Sequence, residues 1–164
     1  MNKKGFTLVE LLAVIAILAI LVIMAVPNVI NLFNNAKVST FISQAESLYK
    51  SAEQQVVANQ MKGITSGNFV FCYTSTEDAS GTNKLSLSGT DSLHYYIVYS
   101  GGKITSFQAE DGSYAINITN ASGINLSDFS ASEDGKYTNV YLYGSSISAC
   151  SASSITVGNK VEAK

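Results

Sequence analysis

The chain has 164 residues, 46% of them hydrophobic, with 13% charged and a formal net charge of −2. That length holds one domain plus an extended element rather than two full domains, and the charge offers none of the basic face that nucleic-acid binding requires. Every basic residue is a lysine, so the guanidinium fork used for bidentate phosphate or carboxylate clamps is missing.

At the N-terminus Lys3 and Lys4 precede an apolar run that starts at Phe6. Positive charge ahead of such a run holds the N-terminus on the cytoplasmic side of a membrane. Residues 11–26 are apolar without exception. As a helix, residues 6–26 span about 31 Å, close to one hydrocarbon core. Ala25 imitates a signal-peptidase site, but Val26, Pro27 and Asn28 do not complete the small-residue pattern, so the segment reads as retained. Glu10 is out of place. An ionised carboxylate near a bilayer centre costs about 2.5–3.5 kcal/mol, so an acid in a spanning segment is functional by default and calls for a positive partner. The segment offers no cation at helical spacing, and the expected partner lies elsewhere.

Lys3-Lys4-Gly5-Phe6-Thr7-Leu8-Val9-Glu10 resembles the leader and cleavage motif of type IV pilins and the related pseudopilins. The resemblance implies that a membrane prepilin peptidase cuts after Gly5 and that the new N-terminal residue, Phe6, is then N-methylated. It further implies that Glu10 pairs with the Phe6 amino group of a neighbouring subunit during assembly, which makes two buried charges tolerable because they meet. Pro27 matches the helix proline of that family and is expected to kink the helix or remove a backbone bond. Ala19 stands where many Gram-negative members have glycine, which raises helix propensity through this stretch. A Gram-positive source is compatible with that departure.

After Pro27 the pattern becomes amphipathic. Ile30, Phe33, Val38, Phe41, Ala45, Leu48, Ala52 and Val56 form an apolar stripe at helical intervals. Lys62 and Gly63 supply a cation in the last turn and a glycine for a left-handed cap. A helix over residues 6–62 would be about 85 Å long, divided into an anchor half and a half that packs on a head. Strands are expected at 68–73, 94–99, 103–108, 114–118, 138–143 and 155–161, with Gly101-Gly102 as a hairpin turn and Asp111-Gly112 as a second turn. Residues 75–82 and 145–154 read as polar loops. The fold class is therefore α+β: a long N-terminal helix packed on an antiparallel β-sheet head, which the resemblance makes a pilin roll. The expected divisions are 1–5 leader, 6–27 transmembrane or filament-core helix, 28–62 amphipathic helix and 63–164 extracellular head.

Cys72 and Cys150 are far apart in sequence and read as one disulfide of an exported domain, the alternative being two buried free thiols. With His94 the one histidine, neither a metal site nor a Ser/His/Asp set is expected. His94 reads as structural or surface-exposed. The acid pairs Glu77-Asp78, Glu110-Asp111 and Glu133-Asp134 sit beside turn residues and read as solvated. No phosphate loop is present, and the Asn-x-Ser/Thr matches at Asn117, Asn120 and Asn125 are assigned to chance. No cofactor and no catalytic residue follow. The expected function is a non-enzymatic pilus subunit, stored in the cytoplasmic membrane and assembled with copies of itself by the pilus machinery into a surface filament for adhesion, aggregation or twitching motility. The alternatives are a pseudopilin of type II secretion, a DNA-uptake pilin, or a signal-anchored extracellular domain.

Overall fold

A computed structural model of the chain describes residues 7–64, 67–74, 84–85, 93–130, 136–147, 150 and 155–162. Gly5 and Phe6, the acid pairs Glu77-Asp78 and Glu133-Asp134, the loop at 75–82 and much of the loop at 145–154 lie outside the described residues. The chain divides into two compact units, Met1–Lys37 and Val38–Lys164.

Helix α1 covers Leu8–Met61. It ends where the sequence places a glycine. Gly63 has φ +80°, its N–H donates to Gln60 O at 3.0 Å, and the N–H of Ile64 donates to Asn59 O at 3.0 Å. These are the two bonds of a Schellman cap, with glycine in the position a side chain would strain.

In the first unit α1 is exposed along its whole described length apart from half-buried Asn35. Over residues 11–26, apolar residues on every face give it no polar side to turn to water. In the second unit, Val38, Phe41, Ile42, Ala45, Leu48, Tyr49, Ala52 and Val56 are buried, a set of three- and four-residue steps along one face. Ile30 and Phe33, expected in this stripe, are 52% and 63% exposed. The periodicity is continuous through them, but the five turns from Val38 to Val56 supply every buried position of the helix.

Six strands form one antiparallel sheet in sequence order: β1 (Asn68–Tyr73), β2 (His94–Ser100), β3 (Lys103–Glu110), β4 (Tyr114–Ile118), β5 (Lys136–Tyr143) and β6 (Val157–Glu162). Sequential neighbours need only short or looping connections, so the order follows from the hairpins. Gly101 (φ +59°) and Gly102 (φ +86°) make the β2–β3 turn, both in the left-handed region that a type I′ hairpin demands. At the β3–β4 turn, Asp111 Oδ1 accepts the N–H groups of Ser113 (2.8 Å) and Tyr114 (2.7 Å). A short 3-10 helix, Leu126–Asp128, precedes β5.

Alternation along the strands gives the sheet two different faces. One face, with Phe69, Phe71, Tyr95, Ile97, Phe107, Ala109 and Ile116, joins the buried stripe of α1 in one apolar core. Phe107 stacks on Phe129 with ring centroids 5.1 Å apart, and Tyr49 lies 6.2 Å from Phe107. The Tyr49 hydroxyl donates to Ile124 O at 2.8 Å. The other face carries a smaller cluster of Cys72, Tyr96, Ala115, Ile147 and Ile155. Within it Cys72 and Cys150 form a disulfide, with Cα atoms 5.6 Å apart and 78 residues of separation. Closing so long a loop stabilises by roughly 4 kcal/mol in the chain-entropy account.

One sequence expectation is corrected on this second face. Glu110 is not solvated: it is 1% exposed, and its Oε1 meets His94 Nδ1 at 2.8 Å while Oε2 accepts the Gly112 N–H at 2.9 Å. Of the two expectations for His94, structural or surface-exposed, the structural one holds: it is the half-buried partner of this carboxyl group.

Candidate functional site

The candidate site is the start of α1. Leu8 is the first helical residue, and Thr7 stands in the N-cap position before it. The first turn of any helix leaves backbone N–H groups without intrahelical partners. Here the Thr7 hydroxyl oxygen accepts the Glu10 N–H at 3.3 Å, while the Thr7 N–H (2.9 Å) and hydroxyl (2.7 Å) both donate to Glu10 Oε2. The ladder begins one step later, with Leu11 N–H donating to Thr7 O at 3.2 Å. Thr7-Leu8-Val9-Glu10 is thus a reciprocal capping box.

This changes the reading of Glu10. Its carboxylate is not bare: Oε2 is held by two donors of its own chain. A carboxylate in the first turn also faces the positive end of the helix dipole. Both effects lower the cost of an acid at the head of an apolar helix. The signal was present in the sequence, since Ser or Thr three residues before Glu ahead of an apolar run is the capping-box pattern. Among the described residues Glu10 Oε1 makes no hydrogen bond.

The apolar helix behind this cap is long and apolar enough to cross a membrane by length and composition, and none of that stretch is buried. α1 continues as helix on both sides of Pro27, whose ring nitrogen donates no backbone bond. Cys72 and Cys150, the other predicted pair, are brought together as a disulfide in the second unit.

The unit Met1–Lys37 thus holds an unburied apolar helix long enough to cross a membrane, with a capped acid in its first turn. Residues 1–26 match the family model of the prokaryotic N-terminal methylation motif, so the chain carries the prepilin signature of type IV pilins. No curated protein and no solved structure matches the chain.

Proposed function

We propose that the chain is a structural subunit of a type IV pilus. The methylation motif at residues 1–26, placed at the head of an unburied apolar helix, carries this reading. The prepilin peptidase removes residues 1–5 by cutting after Gly5, and Phe6 becomes the methylated N-terminus. Residues 6–27 are held in the cytoplasmic membrane until assembly, residues 28–62 continue the helix, and residues 63–164 form the extracellular head. Extraction then trades lipid for protein: the side chains of residues 11–26 pack on those of other copies. Heterologous contacts that do not close on themselves propagate as a filament.

Glu10 sets the register. Its Oε2 stays on Thr7, and Oε1 accepts the ammonium of Phe6 from a neighbouring subunit. The pair forms in an apolar core, where two charges are tolerated only together. Neither step is catalysis by this chain, whose role is structural. The filament on the cell surface serves adhesion, aggregation or twitching motility. Glu10→Val tests the reading: the variant is expected to be processed and to accumulate in the membrane, yet to be missing from sheared surface filaments. Normal piliation by Glu10→Val would overturn it.

A further inference from the structure

Separate pieces of the second unit enclose a polar cavity of about 340 Å³: Tyr49 and Glu53 on α1, Gly102 and Lys103 at the β2–β3 turn, and residues 122–125. That volume is at the small end of ligand pockets. The pieces are fastened to one another. Ala121 N–H donates to Thr105 O at 2.9 Å and Ile124 N–H to Ile104 O at 2.8 Å, so residues 121–124 run alongside β3. The Tyr49 hydroxyl donates to Ile124 O at 2.8 Å, which ties that segment to α1. Held backbone, rather than a loose meeting of surface side chains, therefore forms the cavity.

Its charged groups come from different elements and do not meet. Glu53 on α1 and Lys103 on β3 both line the cavity, yet they form no ion pair among the described residues. Glu53 lies beside the Tyr49 hydroxyl, whose one proton is committed to Ile124 O. A carboxylate offers about four acceptor positions, so Glu53 can take further donors. Lys103 is placed by the shape of the wall. An added Cβ at Gly123 would meet Lys103 Cδ at 2.8 Å, with Cε and Nζ each 3.7 Å away. The stem therefore lies against the bare glycine, and the ammonium ends beside it. A lone cation entering the cavity would meet Lys103, and a lone anion would meet Glu53, in each case a like charge at close range. A molecule carrying both signs satisfies both groups.

We propose that this cavity binds a small zwitterion, an ammonium and an acid group carried on one short frame. The ligand's ammonium donates to the Glu53 carboxylate, and its acid group accepts from the Lys103 ammonium. The Ser122 hydroxyl, exposed in the same lining, serves the polar atoms between them. Charge-assisted bonds are the strong ones, and two of them correspond to a dissociation constant of about 1 mM. Two sources supply this chemistry: the charged ends of a free amino acid or short peptide, and the headgroup of an ethanolamine phospholipid. The site lies wholly within the second unit and depends neither on processing nor on a filament.

The isotope-labelled full chain in dodecyl maltoside micelles is titrated with glycylglycine and, separately, with phosphoethanolamine, and the amides of Gly102, Gly123 and Asn125 are followed by NMR. Saturable shifts at these amides are expected with at least one probe, and the probe that saturates identifies the source. Glu53→Gln and Lys103→Met, both at exposed positions, are each expected to weaken binding about tenfold. Gly123→Ala is expected to weaken it severalfold, because its methyl group displaces the Lys103 stem. Acetate and methylammonium, with one charge each, are expected to bind about tenfold more weakly than the zwitterion. Absence of saturation with both zwitterions would overturn the proposal. So would unchanged binding in any of the three variants, or equal saturation by acetate or methylammonium, since a single charge would then suffice.

Discussion

Replacing Thr7 with alanine removes the hydroxyl that donates to Glu10 Oε2 at 2.7 Å and accepts the Glu10 N–H at 3.3 Å. The Thr7 N–H contact to Oε2 and the first ladder bond, from Leu11 N–H to Thr7 O, need only backbone and survive in principle. Losing an N-cap side chain costs about 1 kcal/mol, and at 1.4 kcal/mol per decade this is about a fivefold rise in opening of the first turn. Amide exchange at Leu11, followed by NMR on the full chain in detergent micelles, reads that opening directly. Thr7→Ala is expected to speed exchange at Leu11 by about that factor, leaving amides beyond the second turn unaffected. Thr7→Ser keeps the hydroxyl and should behave as the parent. Unchanged exchange in Thr7→Ala, or equally fast exchange in Thr7→Ser, would refute the capping role. A further consequence concerns assembly: a carboxylate left with only the residue 7 N–H is less well aimed, so Thr7→Ala should reduce piliation less severely than loss of Glu10 itself.

Two predictions concern the head. Burial above all, and then the Glu53 carboxylate beside it, pushes the Tyr49 phenol up to about 12 from an ordinary 10.0. The folded chain then holds a proton that the unfolded chain releases, so this part of the stability is complete below pH 10 and is lost as pH rises towards 12. Tyr49→Phe should flatten the decline in that window and cost about 1 kcal/mol at neutral pH through the lost bond to Ile124 O; denaturant unfolding at pH 7 and pH 11 measures both, and an unchanged alkaline slope would contradict the argument. His94→Ala leaves Glu110 Oε1 buried without its 2.8 Å partner. The expected loss is about 2 kcal/mol in chemical denaturation, with partial recovery when Glu110→Gln is added, because a neutral amide is less costly to bury. Equal stability of His94→Ala and the parent would remove the pair from the account.

Much of the head was legible in the sequence because its signals are local. Gly101-Gly102 fixes a two-residue hairpin, and strand β1 and strand β4 fall on the expected residues. The His94–Glu110 pair was not legible, and the reason is one residue. Ser100 opposes Lys103 and Tyr99 opposes Ile104, so regular pairing would place His94 against Ala109. A bulge between Val98 and Tyr99 shifts the register by one, which moves Glu110 opposite His94 and turns it inward. Helix periodicity has a similar limit: it gives the phase of the stripe but not where the partner surface stops, so Ile30 and Phe33 could not be separated from Val38. The short helix Leu126–Asp128 depends on the Asn125 N–H reaching Asp128 Oδ2 at 2.7 Å, a local contact too small to stand out in a segment rich in Asn and Ser. At the candidate site the apolar run and Glu10 were plain. The part of Thr7 is not legible from charge, because its N–H and hydroxyl, not a cation, satisfy Glu10 Oε2.

The central claim is that the chain is processed at Gly5 and then built into a filament through the capped acid behind it. The mass of the N-terminal peptide, taken from the main protein of filaments sheared from the cell surface, tests this most directly. The account predicts a peptide that begins at Phe6 and carries one added methyl group. A peptide that begins at Met1, or one that begins after Ala25 because the apolar helix has been removed, would contradict it.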